Sequence, residues 1–464
     1  MSEPTAYLDG DTLYIPYSLS RLIENAAVLD AMKRLEEANE PPPPALPAYV
    51  LRPGDDPAAL IASMPDAPLG TPAEELPTMW VADGIHPYPI HLTKRVNVRA
   101  LPDADPWFSG WRTGHAWELI ERTGVADKYR LRWDRAALGL SHRVVSNSAF
   151  LSAQDGATRM AAHNLATEPE LVRYDGEPLA RVSVLSTPFV AMQQAHDDKN
   201  GYLYITLPAG ADLDLLEVAM YPQLFTAADG VAGIEVSGIT FTGAANTHKE
   251  AAFELHSDAN TIDVVVEDVN SLAFSVRGIG LTARMRSVRA GQMGHWIKAQ
   301  KSELTVEHYE SNWRGSDAGW HASNKFEQTI ECEIHLESYH ADGAGCWFDV
   351  GNHRNRVGMY ILGSGKNALM VEHYAEENSF DFNILDTRPL GRWEGADVQI
   401  QSNVKGNTFR GVITGNAIPY WLVYKTAEGR GPSGPNTFKG ISASGRPHRI
   451  EGGRHEKDIF EDIT

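Results

Sequence analysis

The sequence predicts an all-β fold, a right-handed parallel β-helix, on three observations. From Gly233 onward, short segments of alternating apolar and polar residues recur every 21 to 30 residues, such as NTIDVVVEDV, SELTVEHYES and NTFRGVITG. Gly, Asn and Asp, which suit tight turns, separate these segments. No helix-length apolar pattern interrupts them, which excludes βαβ units. A strand repeat of this period is typical of a β-solenoid, whose stacked coils lie about 4.8 Å apart.

Asparagine begins several of the predicted strands. These residues are Asn260, Asn355, Asn378, Asn407 and Asn436. Because stacked coils bring equivalent turn positions together, we expect the side-chain amides to form a hydrogen-bonded ladder. We therefore interpret these asparagines as structural.

Residues 1–47 form a distinct N-terminal segment. A short strand-like piece leads into SLSRLIENAAVLDAMKRLEEANE, whose apolar residues recur at helical spacing, and the run Pro41 to Pro44 ends this predicted helix. The helix either packs over one end of the body or serves as an oligomerisation or attachment segment, since its apolar stripe is close to a heptad.

The rest of the chain divides into three parts. Residues 48–110 alternate apolar and polar residues over short strands and predict the first coils of the β-helix. Residues 111–232 are irregular and end in LVRYDGEPLARVSVL and GYLYITLPAG, which predict an insertion with a pair of hairpins. Residues 233–464 comprise the main β-helix and a C-terminal tail.

The charge balance restricts the partners of this protein. Lys and Arg number 41 against 61 Asp and Glu, which gives a net charge of −20. Such an acidic surface repels nucleic acid and anionic lipid, because binding phosphate requires Lys and Arg. It also counts against lyases that act on polyuronates. A neutral polysaccharide or cell-surface glycan remains the expected partner.

Several further features are absent from the sequence. The N-terminus MSEPTAYLDGDTLYIPYS lacks the pattern of a secretory signal, and no stretch is long enough to span a bilayer. We therefore expect a protein made in the cytoplasm without membrane insertion. Cys332 and Cys346 lack metal-type spacing and are expected to be core thiols, and the histidines show no ligand spacing. No cofactor and no metal are predicted.

Asp349 and Glu372 are the best candidates for catalysis. They are 23 residues apart, about one coil, so both carboxylates could stand on one face roughly 5 Å apart. A retaining glycosidase needs this separation, and mutual repulsion raises one of the two pKa values, as a general acid requires. The alternative is a pattern of exposed acidic strand residues, because VEHY occurs at both Val306–Tyr309 and Val371–Tyr374.

Aromatic and polar residues of the same coils are candidates for substrate binding, since aromatic faces suit stacking on sugars. These candidates are Trp313, Trp320, His321, Lys325, Trp347 and His373. The alternative for the tryptophans is a place in the core or at a coil edge.

The order of these pieces resembles a large group of bacterial, pectate-lyase-like β-helix proteins that act on carbohydrate. WVADGIHPYPIHLTKRVNVRALPDADPWFSGW is similar to their first coils, and LVRYDGEPLARV to their inserted hairpins. GAGCWFDVGNHRNRV and LMVEHYAEENSFDFNIL resemble their late coils. The likeness covers most of residues 75–415.

Within that group, β-helix glycoside hydrolases of the β-xylosidase type carry a nucleophilic Asp in a WLD strand and an acid/base Glu in a VE strand one coil later. WFD, which ends at Asp349, and VE, which ends at Glu372, match this pattern. The resemblance therefore implies a nucleophile at Asp349 and an acid/base at Glu372. The sequence departs from the pattern at His373 and Tyr374, where small or amide residues are usual, and it shows no additional β-sandwich.

An acidic β-helix with a separate N-terminal segment also resembles bacteriophage tail spikes and minor tail proteins. This resemblance implies a virion protein that is commonly a homotrimer, is joined to other phage tail proteins, and binds or cuts host glycan. Two alternatives remain: a non-enzymatic structural or adhesive β-helix protein of the virion, and a cytoplasmic glycosidase acting on imported oligosaccharides.

Overall fold

The structure is a computed structural model. It describes residues 7–9, 12–14, 47–140, 170–182, 185, 190–197, 200–247, 250–311, 322–365, 367–388, 396–415, 420–425, 431–450 and 457–464.

The chain divides into two compact units, Met1–Ala48 and Tyr49–Thr464. In the first unit, strands Tyr7–Asp9 and Thr12–Tyr14 pair antiparallel. The predicted N-terminal helix and the proline run that ends it lie outside the described residues.

The second unit contains a 15-stranded sheet, which we call the back sheet. Its described strands are Val50–Leu51, Thr78–Val81, Gly84–His86, Asn97–Ala100, Pro106–Ser109, Glu235–Thr242, Thr261–Val269, Thr282–Ala290, Glu303–Ser311, Glu333–Ala341, Arg356–Leu362, Ser379–Leu385, Thr408–Thr414, Thr437–Ser442 and Ile459–Glu461.

An 11-stranded sheet, which we call the front sheet, alternates with it along the chain. Its described strands are Ile90–Leu92, Phe225–Ala227, Ala251–His256, Leu272–Ile279, Met293–Gln300, Ala322–Phe326, Ala344–Phe348, Leu369–Glu372, Val398–Gln401, Leu422–Lys425 and Arg449–Ile450.

Every described pairing within these two sheets is parallel, so each coil stacks on the previous one. Parallel crossovers of this kind are right-handed. The predicted right-handed parallel β-helix is therefore confirmed.

Strand alternation builds the core between the sheets. In the strand Thr261–Val269, every second residue from Ile262 to Val266 is buried and the residues between them are more exposed, which is the pattern of a strand with one face in the core. Equivalent inward positions place aromatic rings above one another: the rings of Phe380 and Phe409 are 5.1 Å apart, and those of Phe409 and Phe438 are 5.0 Å apart. Each coil thus extends one continuous apolar core.

The predicted asparagine ladder is present in the late coils. The side-chain amide of Asn355 donates to Asn378, that of Asn378 to Asn407, and that of Asn407 to Asn436, over 2.8, 2.8 and 3.1 Å. Asn260 occupies the same position of the stack, but three coils without asparagine separate it from Asn355. The ladder satisfies polar groups that the stacking of the coils buries.

Two sheets form the insertion, and they have a separate apolar core. The four-stranded sheet is antiparallel, whereas the five-stranded sheet is mixed, because Ala180–Arg181 pairs in parallel with Gln193–Asp197. The five-stranded sheet contains Glu118–Arg122, Ala126–Arg132, Ala180–Arg181, Gln193–Asp197 and Tyr202–Pro208. The four-stranded sheet contains Trp111–Arg112, Val172–Tyr174, Glu177–Pro178 and Leu216–Ala219. The predicted hairpins are present as the antiparallel pairs of Val172–Tyr174 with Glu177–Pro178 and of Gln193–Asp197 with Tyr202–Pro208.

The β-helix continues across this insertion. Phe225–Ala227, which follows it, pairs in parallel with Ile90–Leu92, which precedes it. Likewise, Glu235–Thr242 pairs with Asn97–Ala100. The insertion therefore leaves and rejoins the solenoid between adjacent coils.

Helices are short in the described residues of this unit. The α-helix Pro57–Ser63 is capped by Asp56, whose side chain accepts a hydrogen bond from the Ala58 amide. The 3₁₀ helices are Ala73–Glu75 and Leu213–Leu215. None of the described helices has the length and apolar character required to cross a membrane. Both cysteines are free and buried, as expected for core thiols.

Candidate active site

The site lies where three consecutive front-sheet strands end, and the repeat aligns three tripeptides there. KFE, WFD and MVE have Phe326, Phe348 and Val371 as their middle residues, and these three residues pair in register. All three middle side chains are fully buried in the core. Because strand side chains alternate between faces, the residues on either side of them point to the outer face. Glu327, Asp349 and Glu372, the last residues of the tripeptides, therefore form one column.

Asp349 and Glu372 are adjacent in this column. A carboxylate oxygen of Asp349 lies within 4.8 Å of one of Glu372. Although both side chains are on the outer face, they are only 7% and 3% exposed. This short separation favours the geometry of retaining glycosidases, because inverting enzymes need a wider gap for a water molecule.

Asp349 is held in its ionised form. Lys325 Nζ lies 2.7 Å from Oδ2, and His373 Nδ1 donates to Oδ1 over 3.0 Å. Burial raises the pKa of Asp349, but the hydrogen bond from His373 and the charge of Lys325 outweigh it and lower this pKa to about 2. Both oxygens of the carboxylate thus have a fixed cationic or hydrogen-bonding partner.

Glu372 has the opposite environment. Burial, followed by the negative charge of Asp349, raises the pKa of Glu372 to about 7. The indole N–H of Trp347 donates to Oε1 over 3.0 Å, and His373 Nδ1 lies 3.5 Å from the same oxygen. Two neighbouring carboxyl groups with separated pKa values are the arrangement that supplies one acid and one ionised carboxylate at neutral pH.

A third carboxylate, Glu327, extends the network away from Glu372. Lys325 Nζ bridges Asp349 and Glu327, lying 2.8 Å from Glu327 Oε1, and Lys298 Nζ lies 2.8 Å from Oε2. Lys325 is only 1% exposed, and its ammonium group is 4.1 Å from the centre of the Trp347 ring. The buried charge of Lys325 is therefore compensated on two sides, as a buried cation requires.

Sequence reasoning missed Glu327 and Lys298. A signal was present, because KFE stands one coil before WFD and places Glu327 in the column of Asp349. Lys298 was harder to find, because the coil before KFE is longer: Trp296 pairs with Lys325, 29 residues later. This longer interval hides the alignment that places Lys298 beside Glu327.

The predicted substrate-binding residues divide into two groups. Lys325, Trp347 and His373 are brought together, and each of them contacts at least one of the two carboxyl groups. Their roles in binding substrate stay a prediction. The other three lie outside the described residues: Trp313, Trp320 and His321.

The two VEHY segments are not equivalent in the structure. Glu307 belongs to the back-sheet strand Glu303–Ser311, whereas Glu372 ends a strand of the front sheet. Glu307 forms an ion pair with Arg284 at 3.2 Å. The repeated motif therefore does not reproduce the surroundings of Glu372.

The donor set of Asp349, Glu372 and His373 also matches the ligand types of a metal site, with ligand atoms within 4.8 Å of one another. However, Lys325 already supplies a positive charge to Asp349 at 2.7 Å. A metal ion bound to Asp349 would face this ammonium group, and His373 Nδ1 could not serve as its ligand while it donates a hydrogen bond to Asp349. The arrangement suits a charge-compensated carboxyl pair better than a metal centre.

No protein-family model matches the chain, and no curated protein matches it. Among solved structures, a complex of XylC with xylose is similar with a TM-score of 0.59 and 12% identity, over 83% of this chain and 81% of that one. A glycoside hydrolase is similar with a TM-score of 0.41 and 9% identity, over 83% and 89%. At 12% identity, the likeness to XylC concerns the β-helix fold.

Proposed function

We propose that this protein is a retaining glycoside hydrolase with Asp349 as nucleophile and Glu372 as general acid/base. The observation that carries the proposal is a pair of buried carboxyl groups within 4.8 Å whose pKa values are about 2 and about 7. At neutral pH one is an ionised nucleophile and the other can donate a proton. The fold shared with XylC, which was solved with xylose, supports a carbohydrate substrate.

In the first step, the Asp349 carboxylate attacks the anomeric carbon and forms a glycosyl ester. The bond to the leaving oxygen breaks as Glu372 transfers its proton to that oxygen. In the second step, ionised Glu372 takes a proton from water, the water oxygen attacks the anomeric carbon, and the ester bond to Asp349 breaks. Both groups return to their starting states, and the anomeric configuration is retained.

The proton on Glu372 follows the charge on Asp349. That negative charge contributes to the raised pKa of Glu372, and esterification removes it. The pKa of Glu372 therefore falls in the glycosyl-enzyme, where a base is needed, and rises again when Asp349 is released. The short distance between the carboxyl groups couples the two steps.

Turnover of defined glycosides tests this proposal. The full chain is assayed with 4-nitrophenyl glycosides, beginning with the β-xyloside, and the product formed first is followed by NMR. We expect cleavage of at least one glycoside with retained anomeric configuration. Absence of cleavage across the panel, or an inverted first product, contradicts the proposal.

A matched control comes from the second VEHY segment. Glu372→Gln removes the acid, whereas Glu307→Gln makes the same change in the same four-residue sequence on the back sheet. We expect only Glu372→Gln to impair cleavage of glycosides with poor leaving groups, by about 10²- to 10⁴-fold. Equal loss in both variants would remove the assignment of Glu372.

We further propose that the substrate is a host-surface glycan and that the protein is part of a phage virion, as a tail spike or minor tail protein. The support is the resemblance noted in the sequence, together with an acidic β-helix that follows a separate N-terminal unit. The non-enzymatic alternative, an adhesive β-helix protein, predicts glycan binding without turnover. The glycoside assay therefore separates the two.

A further inference from the structure

The chain makes a tight turn immediately after Glu372, and the next coil repeats it at Ser402 and Asn403. His373 and Tyr374 have φ angles of 53° and 67°, so two successive residues adopt the left-handed conformation. In this region the Cβ atom approaches the backbone carbonyl oxygen, and a bulky side chain at φ > 0 is an outlier. The turn ends the strand Leu369–Glu372 and leads His373 back to Asp349.

The neighbouring coils show which residues this turn favours. Extending the strand register by two or three residues aligns Tyr374 with Gly351 in the preceding coil and with Asn403 in the following coil. Their φ angles are 72° and 57°. The Gly351 amide donates to the His373 carbonyl over 2.9 Å, so the turns stack directly. Glycine and asparagine are the residues that tolerate this conformation, and Tyr374 stands between them.

The packing of Tyr374 does not explain this exception. Its side chain is 50% exposed. Within the described residues it has no hydrogen bond, ion pair or ring contact. A residue that breaks the local preference of its turn without a packing gain points to a functional constraint. Tyr374 follows His373, which donates a hydrogen bond to Asp349 over 3.0 Å, and it is two residues after Glu372 in the chain.

We propose that Tyr374 is the aromatic platform on which the sugar ring of the substrate packs beside Asp349 and Glu372. The chemical class of ligand is a sugar with an apolar C–H face, which an exposed aromatic ring covers without a charge. This inference rests on the proposed glycosidase function and assigns a specificity-determining residue to its site. The backbone strain at Tyr374 is the structural cost of presenting the ring.

Two substitutions at Tyr374 test the inference. Tyr374→Asn introduces the residue that the next coil uses at this position, and Tyr374→Phe keeps the ring. The probe is the 4-nitrophenyl glycoside that the unmodified protein cleaves fastest, and both kinetics and Tm are measured. For Tyr374→Asn we expect Tm to rise by about 1–2 °C, because the strain is relieved. We expect KM to rise about three- to tenfold, with kcat changed less than about twofold.

Tyr374→Phe should keep the original KM, since the ring and not the hydroxyl makes the contact. An unchanged KM in Tyr374→Asn would overturn the sugar contact, and a lowered Tm would overturn the strain. If the unmodified protein cleaves no glycoside of the panel, the proposed function fails and the inference fails with it. Cleavage with an unchanged KM in Tyr374→Asn leaves the function standing and removes only the role of Tyr374.

Discussion

Asp349 and Glu372 occupy the same position in consecutive coils, and Lys325 contacts only the first of them among the described ion pairs. Together with the hydrogen bond from His373, which is the larger effect, this contact lowers the pKa of Asp349. Lys325 Nζ lies 2.7 Å from Asp349 Oδ2, and the opposite charge favours the ionised form there. At Glu372, burial and the repulsion of Asp349 favour the protonated form, and they outweigh the opposite effects of His373, Lys325 and Trp347.

Asp349→Ala should abolish glycan turnover while glycan binding survives. The substitution removes the nucleophile, so we expect kcat to fall by about 10⁴-fold or more. Binding is measured separately by titration calorimetry with a xylo-oligosaccharide or another glycan that the unmodified protein cleaves. Sodium azide should partly restore cleavage of the 4-nitrophenyl glycoside, because a small anion can attack the anomeric carbon from the vacated side and give a glycosyl azide of inverted configuration.

Turnover by Asp349→Ala at a rate close to that of the unmodified protein would exclude Asp349 as nucleophile. Restoration by azide with retained configuration would exclude the double-displacement geometry. Glu307→Gln serves again as the control, since this residue lies on the back sheet.

The pH dependence of kcat/KM should follow the two pKa values of the pair. Glu372 must be protonated, so activity should fall about tenfold per pH unit above about pH 7. Asp349 must be ionised, and with a pKa of about 2 it does not limit activity between pH 4 and 7.

Lys325→Met should change this profile in a defined direction. Loss of the positive charge raises the pKa of Asp349, so an acidic limb should enter the measurable range. It also raises the pKa of Glu372, because Lys325 lowers that pKa as well, and the basic limb should move upward. Lys325→Arg keeps the charge and should keep the acidic limb out of range. An unshifted profile in folded Lys325→Met would show that Lys325 does not control the pair.

The repeat made the fold and the carboxyl pair predictable from the sequence. A spacing of 23 residues equals one coil, which suffices to place Asp349 beside Glu372 once the coils stack in register. The role of Lys325 was not predictable, because the residue lies outside the carboxylate column and reaches it across one coil. The turn at Tyr374 was hidden for a different reason: glycine or asparagine signals a left-handed residue, and tyrosine does not.

The stability of the protein should depend on pH through Glu372. Its folded pKa of about 7 is above the ordinary value of 4.5, so the folded state binds a proton that the unfolded state has released. The contribution of Glu372 to the free energy of unfolding is therefore greatest below about pH 4.5, and it decreases as the pH rises toward 7. Glu372→Gln removes the ionisable group, so the variant should be more stable than the unmodified protein at pH 8.

The difference in Tm at pH 8 should be about 2–4 °C, and it should shrink toward zero near pH 4.5. Differential scanning fluorimetry of both proteins across this range measures it. Glu307→Gln should show no comparable trend with pH. If the Tm of Glu372→Gln minus the Tm of the unmodified protein is smaller at pH 8 than at pH 4.5, the raised pKa of Glu372 is contradicted.

Assembly is the last prediction, and it concerns residues 1–47. The apolar residues of SLSRLIENAAVLDAMKRLEEANE recur at helical spacing close to a heptad. An isolated helix of about 20 residues is marginal in water, so its apolar stripe has to be buried against another surface. Three copies could bury the stripe against one another, and we therefore predict a homotrimer or attachment to a partner through this segment. Mass photometry of the full chain and of a truncated chain that starts at Ala48 measures this directly. We expect a trimer for the full chain and a monomer for the truncated chain. If both chains form particles with the same number of copies, residues 1–47 are not the assembly element.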